Sequence, residues 1–159
     1  MAGRRRVPEK AFRMLLDPRG PRFSAAVTAL VLIVVLVTGS GWLALAQAVV
    51  FALSAFRPAL SPYGLVYRVL LAPRLGRPAE LEPAAPVRFA QLVGFGFAAV
   101  AAVGYLAGAP VVGAVAAGFA LAAAFLNSVF GLCLGCEAFL LYRRARHRPV
   151  QSRVPNPAA

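Results

Sequence analysis

Carboxylates are scarce in this 159-residue chain, which has five Asp and Glu residues against seventeen Lys and Arg. Residues 23–56 and 89–136 contain no Asp, Glu, Lys or Arg. Uncharged apolar runs of about eighteen residues or more are typical of helices that cross a bilayer. Sixty per cent of all residues are apolar, which is more than an ordinary water-soluble domain contains. Together with the long uncharged runs, this composition excludes such a domain. The sequence therefore predicts an integral membrane protein.

Residues that bind metals or cofactors are also few. The chain has two cysteines, Cys133 and Cys136, and a single histidine, His147, in the C-terminal tail. Two thiols do not complete a tetrahedral zinc site unless a second chain supplies another pair. Haem attachment would need a histidine directly after Cys136, where Glu137 stands. No phosphate-binding loop or dinucleotide fingerprint occurs. We predict no metal and no cofactor, and the sequence specifies no enzymatic reaction.

The positive charge of the chain lies beside the apolar runs. A net charge of +12 is compatible with nucleic-acid binding, but the basic residues flank apolar segments instead of forming a stripe on a soluble surface. Arginine next to membrane spans marks the cytoplasmic side. The use of Arg almost throughout in place of Lys, together with much Ala, is typical of a GC-rich bacterial genome. The sequence therefore predicts a protein of the bacterial inner (plasma) membrane that binds no nucleic acid, with its N- and C-termini in the cytoplasm.

Charge and apolarity divide the chain into five segments. They are a basic cytoplasmic N-terminal segment (1–22), a first transmembrane hairpin (23–56), a Pro- and Arg-rich cytoplasmic loop (57–88), a second transmembrane hairpin with a C-x-x-C motif (89–142) and a basic cytoplasmic tail (143–159). The predicted fold is all-α, with four transmembrane helices arranged as two hairpins.

The predicted spans follow from the length of the apolar runs. Thirty-four residues at 23–56 exceed one span, so helices at about Phe23–Thr38 and Trp42–Phe56 are expected on either side of Gly39-Ser40-Gly41. The second run turns at Gly108-Ala109-Pro110, after a helix at about Phe89–Leu106. The segment from Val111 to residue 142 is too long for one upright span. It either tilts, continues past the interface or breaks near Gly131 or Gly135.

The central loop contains apolar residues at helical spacing, from Tyr63 to Leu71, which favours a short interfacial helix over an irregular loop. Prolines from Pro73 to Pro86 predict an extended remainder. The segments Asp17–Phe23 and Glu82–Phe89 share a pattern: an acidic residue followed by proline, a second proline, and then Arg-Phe at the start of a predicted hairpin. This similarity indicates either a duplicated two-helix unit or shared chemistry of membrane entry.

Cys133 and Cys136 form the most informative motif. On a helix, residues three apart share one face, so the two sulfurs can meet and cycle between dithiol and disulfide. Inside a continuous membrane helix the thiols would be inert, whereas a helix restarting near Gly131 would place Cys133 in a first turn, which favours the thiolate. The alternative is that the two cysteines are small apolar packing residues.

Glu137 is a carboxylate inside an otherwise uncharged region, four residues after Cys133. Such a residue is a candidate proton partner for the thiols or a member of an interfacial ion pair. Asn127, Gly131 and Gly135 are four residues apart and are predicted to support close helix packing.

The chain resembles a bacterial membrane family catalogued as domain of unknown function 4395. The resemblance covers about residues 11–144. It is carried by Asp17-Pro18-Arg19, Arg22-Phe23, Ser61-Pro62, Pro73-Arg74-Leu75, Glu80-Leu81-Glu82, Arg88-Phe89-Ala90-Gln91 and, most specifically, Asn127 to Glu137. It implies thiol or sulfur chemistry with a thioredoxin-like or rhodanese-like partner.

Three functions stay open at this point. The first is thiol–disulfide exchange or sulfur relay with such a soluble partner, in which Cys133 attacks, Cys136 resolves and Glu137 moves protons. The second is a transporter or channel subunit for a small sulfur species. The third is a structural subunit of a larger membrane complex. Small helices rich in Gly and Ala also favour homo-oligomers.

Overall fold

A computed structural model describes residues 15–78, 80–146 and 154–155. The basic N-terminal residues 1–14, His147 and most of the predicted tail lie outside the described residues. The elements in chain order are β1 (Leu15–Leu16), α1 (Arg19–Thr38), α2 (Gly41–Phe56), a 3₁₀ turn (Pro58–Leu60), α3 (Pro62–Val66), a π-helical turn (Tyr67–Leu71), α4 (Ala72–Leu75), β2 (Glu80–Pro83), α5 (Ala84–Leu106), α6 (Pro110–Phe130), α7 (Leu134–Ala145) and β3 (Val154–Pro155).

The protein is an all-α membrane protein, as predicted. Helices α1, α5 and α6 have 20, 23 and 21 residues and are apolar enough to cross a bilayer. Helix α2 is also apolar but has 16 residues. Large apolar side chains are exposed along these helices, including Val37 at 81%, Val111 at 73% and Trp42 at 72%. Apolar surface of this kind is what a helix presents to lipid.

The long helices pack as antiparallel neighbours. The start of α2 at Gly41 lies against Leu106 at the end of α5, and Gly104 of α5 lies against Gly113 near the start of α6. Helix α1 packs mainly on α6 and α2 mainly on α5, whereas α1 and α2 touch much less. The buried core consists mostly of alanine and lies near the two turns. Small residues allow this close approach of helix backbones.

The opposite end of the bundle contains the arginines that begin or follow the long helices, and we call it the arginine end. Here the Arg88 Nε donates a hydrogen bond of 2.7 Å to the carbonyl oxygen of Ala55, near the last residue of α2. Helices end in carbonyls without intrahelical partners, so a guanidinium at this position stabilises the helix terminus. The Arg22 guanidinium lies close to Gly131, just after α6, because a Cβ built at Gly131 would meet it.

The central loop is helical from Pro62 to Leu75, which confirms the predicted helix in place of an irregular loop. The Tyr67 side chain is buried, and its hydroxyl donates to Asp17 Oδ2 at 2.9 Å. The predicted extended conformation from Pro73 to Pro86 is wrong at both ends. Pro73 lies in α4 and Pro86 in the first turn of α5. Proline is tolerated in the first turn of a helix, because the N–H that it lacks would have no acceptor within that helix.

The two acid-Pro segments occupy related positions, which favours duplication over shared entry chemistry. Helices α1 and α5 begin directly after Pro18 and Pro83. The strands before them pair antiparallel, with Leu15 opposite Pro83 and Leu16 opposite Glu82. When the two halves are matched at these segments, α1 corresponds to α5 and α2 to α6, and the α2–α5 packing corresponds to the α1–α6 packing. Internal repeats of this kind are common in membrane proteins.

Candidate functional site

The apolar run that carries the cysteines is broken at Gly131. Helix α6 ends at Phe130, and Gly131 has φ of +69°, a left-handed conformation that favours glycine. The N–H of Leu132 then donates to the carbonyl oxygen of Leu126 at 3.2 Å. A break was one of the three predicted solutions for the long segment from Val111 to residue 142. It frees the next residues to begin a second helix in a different direction.

Cys133 occupies the position before the first residue of α7 and caps that helix. Its Sγ accepts a hydrogen bond from the backbone N–H of Cys136 at 3.3 Å. Its carbonyl oxygen accepts from the N–H of Glu137 at 3.0 Å, which forms the first helical bond of α7. The cysteine pair therefore lies on the exposed N-terminal N–H groups of a helix, where the backbone dipoles favour negative charge.

Cys133 and Cys136 form a disulfide, with their Cα atoms 5.1 Å apart. Both residues are half-buried. The sulfurs therefore meet, as the three-residue spacing predicted. A disulfide in the first turn of a helix, partly open to solvent, is accessible to attack by an external thiolate.

Helix α7 lies beside the first turns of α5. Gly135 packs directly on Ala90, because a Cβ built at Gly135 would lie 2.6 Å from the Ala90 Cα. The Phe89 and Phe139 rings pack at a centroid distance of 5.7 Å. These contacts fix the orientation of α7, and with it the position of the cysteine pair.

The other predicted site residues are placed as follows. Glu137 lies in the first turn of α7, and its side chain is exposed. Asn127 lies in the last turn of α6, four residues before the break. Because the chain turns at Gly131, Asn127 and Gly135 belong to two different helices and do not form one continuous strip.

A cavity of about 290 Å³ is lined in part by Cys133, and we call it the thiol cavity. Helices α1, α2, α5, α6 and α7 all contribute to its wall. Its lining includes Cys133 and four polar side chains among mostly apolar ones, namely Ser24, Thr28, Gln91 and Asn127. A mostly apolar cavity with a few polar groups is the usual composition of a small-molecule site.

Sequence reasoning missed a chain of polar side chains inside the bundle. Gln47 is 1% exposed; its Nε2 donates to Thr28 Oγ1 at 3.4 Å, and its Oε1 accepts from the Tyr63 hydroxyl at 2.8 Å. Burial in the loop also raises the pKa of Tyr63. Gln47 was visible as the single amide in the first apolar run, but its partners are 19 residues before it and 16 after it. Only the fold brings them together.

Comparison with known proteins gives one match. The family model described as domain of unknown function (DUF4395) matches residues 16–144. No curated protein matches the chain. No solved structure matches it either. Because the matched region includes both halves of the bundle and the cysteine motif, the chain belongs to the DUF4395 family, as the sequence resemblance indicated.

Proposed function

We propose that this protein exchanges disulfides, or relays sulfur, through Cys133 and Cys136 with a soluble thioredoxin-like or rhodanese-like partner. The observation that carries the proposal is the position of the pair, since Cys133 caps α7 and accepts the N–H of Cys136. A pair used only for packing needs no helix terminus. A redox pair is more reactive at a helix N-terminus, because the free backbone N–H groups there stabilise the thiolate that carries out the attack.

Cys133 is the attacking thiol in this proposal. After reduction, the N–H that points at its sulfur stabilises the charged form, as do the dipoles of α7. The Arg22 guanidinium lies against Gly131, two residues before Cys133, and adds positive charge nearby. Cys136 stands one turn inside the helix, where it can attack the sulfur of Cys133 in a mixed disulfide.

The exchange proceeds through two thiolate attacks. The Cys133 thiolate attacks a disulfide of the partner and forms a mixed disulfide, and the partner's second sulfur leaves as a thiolate. Cys136 then loses its proton and attacks Cys133, which restores the internal disulfide and releases the partner as a dithiol. Glu137, exposed in the first turn of α7, accepts and returns the proton of Cys136.

The proposed topology has four spans with the arginine end in the cytoplasm. Helix α2 would be about 24 Å long, which is shorter than a hydrocarbon core of about 30 Å. It nevertheless connects the turn after α1 to Arg57, and helices shorter than the core are accommodated by local thinning of the bilayer. The positive-inside rule then places the loop, α7 and both termini in the cytoplasm of a bacterial plasma membrane.

Replacement of Cys136 by serine tests the function. Cys136→Ser removes the resolving thiol, so a mixed disulfide through Cys133 should accumulate and be isolated with the partner after acid quenching. Cys133→Ser is the matched control, and it should trap at least about tenfold less partner, since the remaining thiol is not the attacking one. Equal trapping by both variants, or by neither, would contradict the proposed roles.

A further inference from the structure

Three polar side chains in the wall of the thiol cavity, those of Ser24, Gln91 and Asn127, have no hydrogen-bond partner among the residues that the structure describes. Neither amide nitrogen is fully enclosed, because the described residues contain no completely buried unpaired polar atom. An amide in a bundle surrounded by lipid is costly unless a ligand or water satisfies it. The cavity that Cys133 helps to line therefore offers two amide groups and one hydroxyl as hydrogen-bond donors.

An apolar groove of about 590 Å³ continues from this cavity between α5 and α6. The two volumes share Val93, Phe97 and Phe119 in their walls. The Phe97 and Phe119 rings lie side by side, with centroids 6.0 Å apart. Beyond these rings the groove reaches Val111, next to the uncharged turn. It is lined throughout by apolar or small side chains and follows the length of the helices.

We propose that the cavity and the groove together bind a prenylated quinone, which accepts electrons from the reduced cysteine pair. This proposal rests on the thiol exchange described above and extends it. A quinone ring carries two carbonyl acceptors for the two amides, and its flat face suits the two phenylalanine rings. Its isoprenoid tail suits an apolar groove parallel to the helices. A phospholipid acyl chain fits the groove but leaves both amides and the cavity unused.

The proposed reaction is a two-electron transfer. The S–H bonds of Cys133 and Cys136 break and an S–S bond forms between the two sulfurs. The quinone takes up both electrons and both protons, and its two carbonyl oxygens become the hydroxyls of a quinol. The oxidised pair then accepts electrons from the dithiol of the soluble partner through the same mixed disulfide, so that with quinone present the two thiolate attacks described above run in the reverse direction. The bilayer thus supplies an oxidant to a thiol pair that the reducing cytosol would otherwise keep reduced.

The test uses the full chain, reduced, freed of reductant and placed in quinone-free lipid nanodiscs. Decylubiquinone is added, loss of free thiols is followed by alkylation and mass spectrometry, and quinol formation is followed by absorbance. We expect one quinol for each disulfide formed. The proposal would be overturned if the disulfide formed no faster with decylubiquinone than without it. It would also be overturned if the cysteines formed a covalent quinone adduct in place of a disulfide.

Ala123→Phe fills the cavity, and Ala122→Phe places the same ring on the exposed side of α6. We expect oxidation by decylubiquinone to slow at least about tenfold in the first variant and to stay at the wild-type rate in the second. If Ala123→Phe does not fold, the paired variant Gln91→Leu with Asn127→Leu keeps the volume and removes the donors. Loss of two hydrogen bonds should weaken quinone binding about tenfold or more.

Trapping of the partner separates this proposal from the underlying function. A Cys136→Ser chain that also carries Ala123→Phe should still form the mixed disulfide, because the soluble partner approaches α7 and does not enter the cavity. If trapping persists and decylubiquinone oxidises Ala123→Phe as fast as wild type, the quinone site is wrong and the exchange function stands. If trapping fails in Cys136→Ser itself, the exchange function is wrong.

Discussion

At the scale of single residues, Gly131 determines whether the cysteines lie in a membrane helix or at the start of a new one. Its φ of +69° ends α6, and a Cβ at this position would meet the Arg22 guanidinium. The sequence predicted that a break, if present, would lie near Gly131 or Gly135, because glycine weakens the interior of a helix. It did not identify Arg22 as a neighbour, since that contact joins residues 109 positions apart.

Gly131→Ala should therefore destabilise the protein by about 1–2 kcal/mol and weaken the start of α7. The expected result is a lower midpoint of thermal unfolding in detergent and slower alkylation of Cys133 after reduction, because the helix dipoles no longer face its sulfur. Gly118→Ala is the matched control. Apart from the neighbouring backbone of α6, none of the described atoms lies within 4 Å of a Cβ built there, so the stability of this variant should be unchanged or slightly higher. A Gly131→Ala chain as stable as this control would refute the role of the break.

Tyr67 gives the loop a dependence on pH. Burial and the hydrogen bond to Asp17 raise the pKa of Tyr67 to about 12. The folded state thus favours the protonated phenol, so the stability it provides is complete below about pH 10, the pKa of an unfolded tyrosine, and is lost as the pH rises to about 12. The difference corresponds to at most roughly 3 kcal/mol.

In Tyr67→Phe the loss of stability between pH 10 and pH 12 should largely disappear, although the variant should be less stable at neutral pH because Asp17 loses its donor. Chemical unfolding in detergent across that pH range measures this. Tyr142→Phe, at a position 55% exposed, is the control and should keep the alkaline loss. An alkaline profile of Tyr67→Phe that matches wild type would disprove the assignment.

At the scale of elements, the short helices that follow α2 and α6 correspond to each other. Ser61 caps α3 and accepts the N–H of Gly64 at 3.3 Å, as Cys133 caps α7 and accepts the N–H of Cys136. The rings of Phe23 and Tyr67 pack at 5.9 Å, as those of Phe89 and Phe139 do at 5.7 Å. The cysteine pair thus occupies, in the second half, the position of a serine cap in the first.

This correspondence predicts that a disulfide can be introduced into the first half. A Cβ at Gly64 lies 3.3 Å from the Ser61 Cβ, close to the separation of about 3.5–4.5 Å in disulfides. We expect Ser61→Cys with Gly64→Cys, in a chain carrying Cys133→Ser and Cys136→Ser, to oxidise readily in mild oxidant, as seen by mass spectrometry. Tyr63→Cys with Val66→Cys has the same spacing inside the helix and should oxidise far less. Equal oxidation of the two pairs would argue against a special cap geometry.

The sequence predicted the long helices better than the short ones. Absence of charge and the glycine-rich turns located α1, α2, α5 and α6, although α1 begins at Arg19 and α5 at Ala84, four and five residues before the predicted starts. Prolines and arginines suggested loop there, but both are tolerated where a helix enters from the interface. The link from Gln47 to Tyr63 depends on which helices become neighbours, and no local pattern encodes that.

At the scale of the whole molecule, the two ends of the bundle differ in packing and in chemistry. The alanine core lies towards the uncharged turns, whereas the cavity, the cysteine pair and the arginines lie towards the other end. The thiol cavity lies at the arginine end, and the apolar groove continues from it towards the turns. The direction in which that end faces decides which partners reach Cys133.

Labelling from each side of the membrane tests this orientation most directly. After mild reduction, a maleimide that cannot cross the bilayer should label Cys133 and Cys136 in inverted membrane vesicles and leave them unlabelled in intact cells. Ala107→Cys, at the exposed turn between α5 and α6 in a chain without the native cysteines, should give the opposite pattern. Labelling of the native pair in intact cells, or a failure to label it from the cytoplasmic side, would contradict the account.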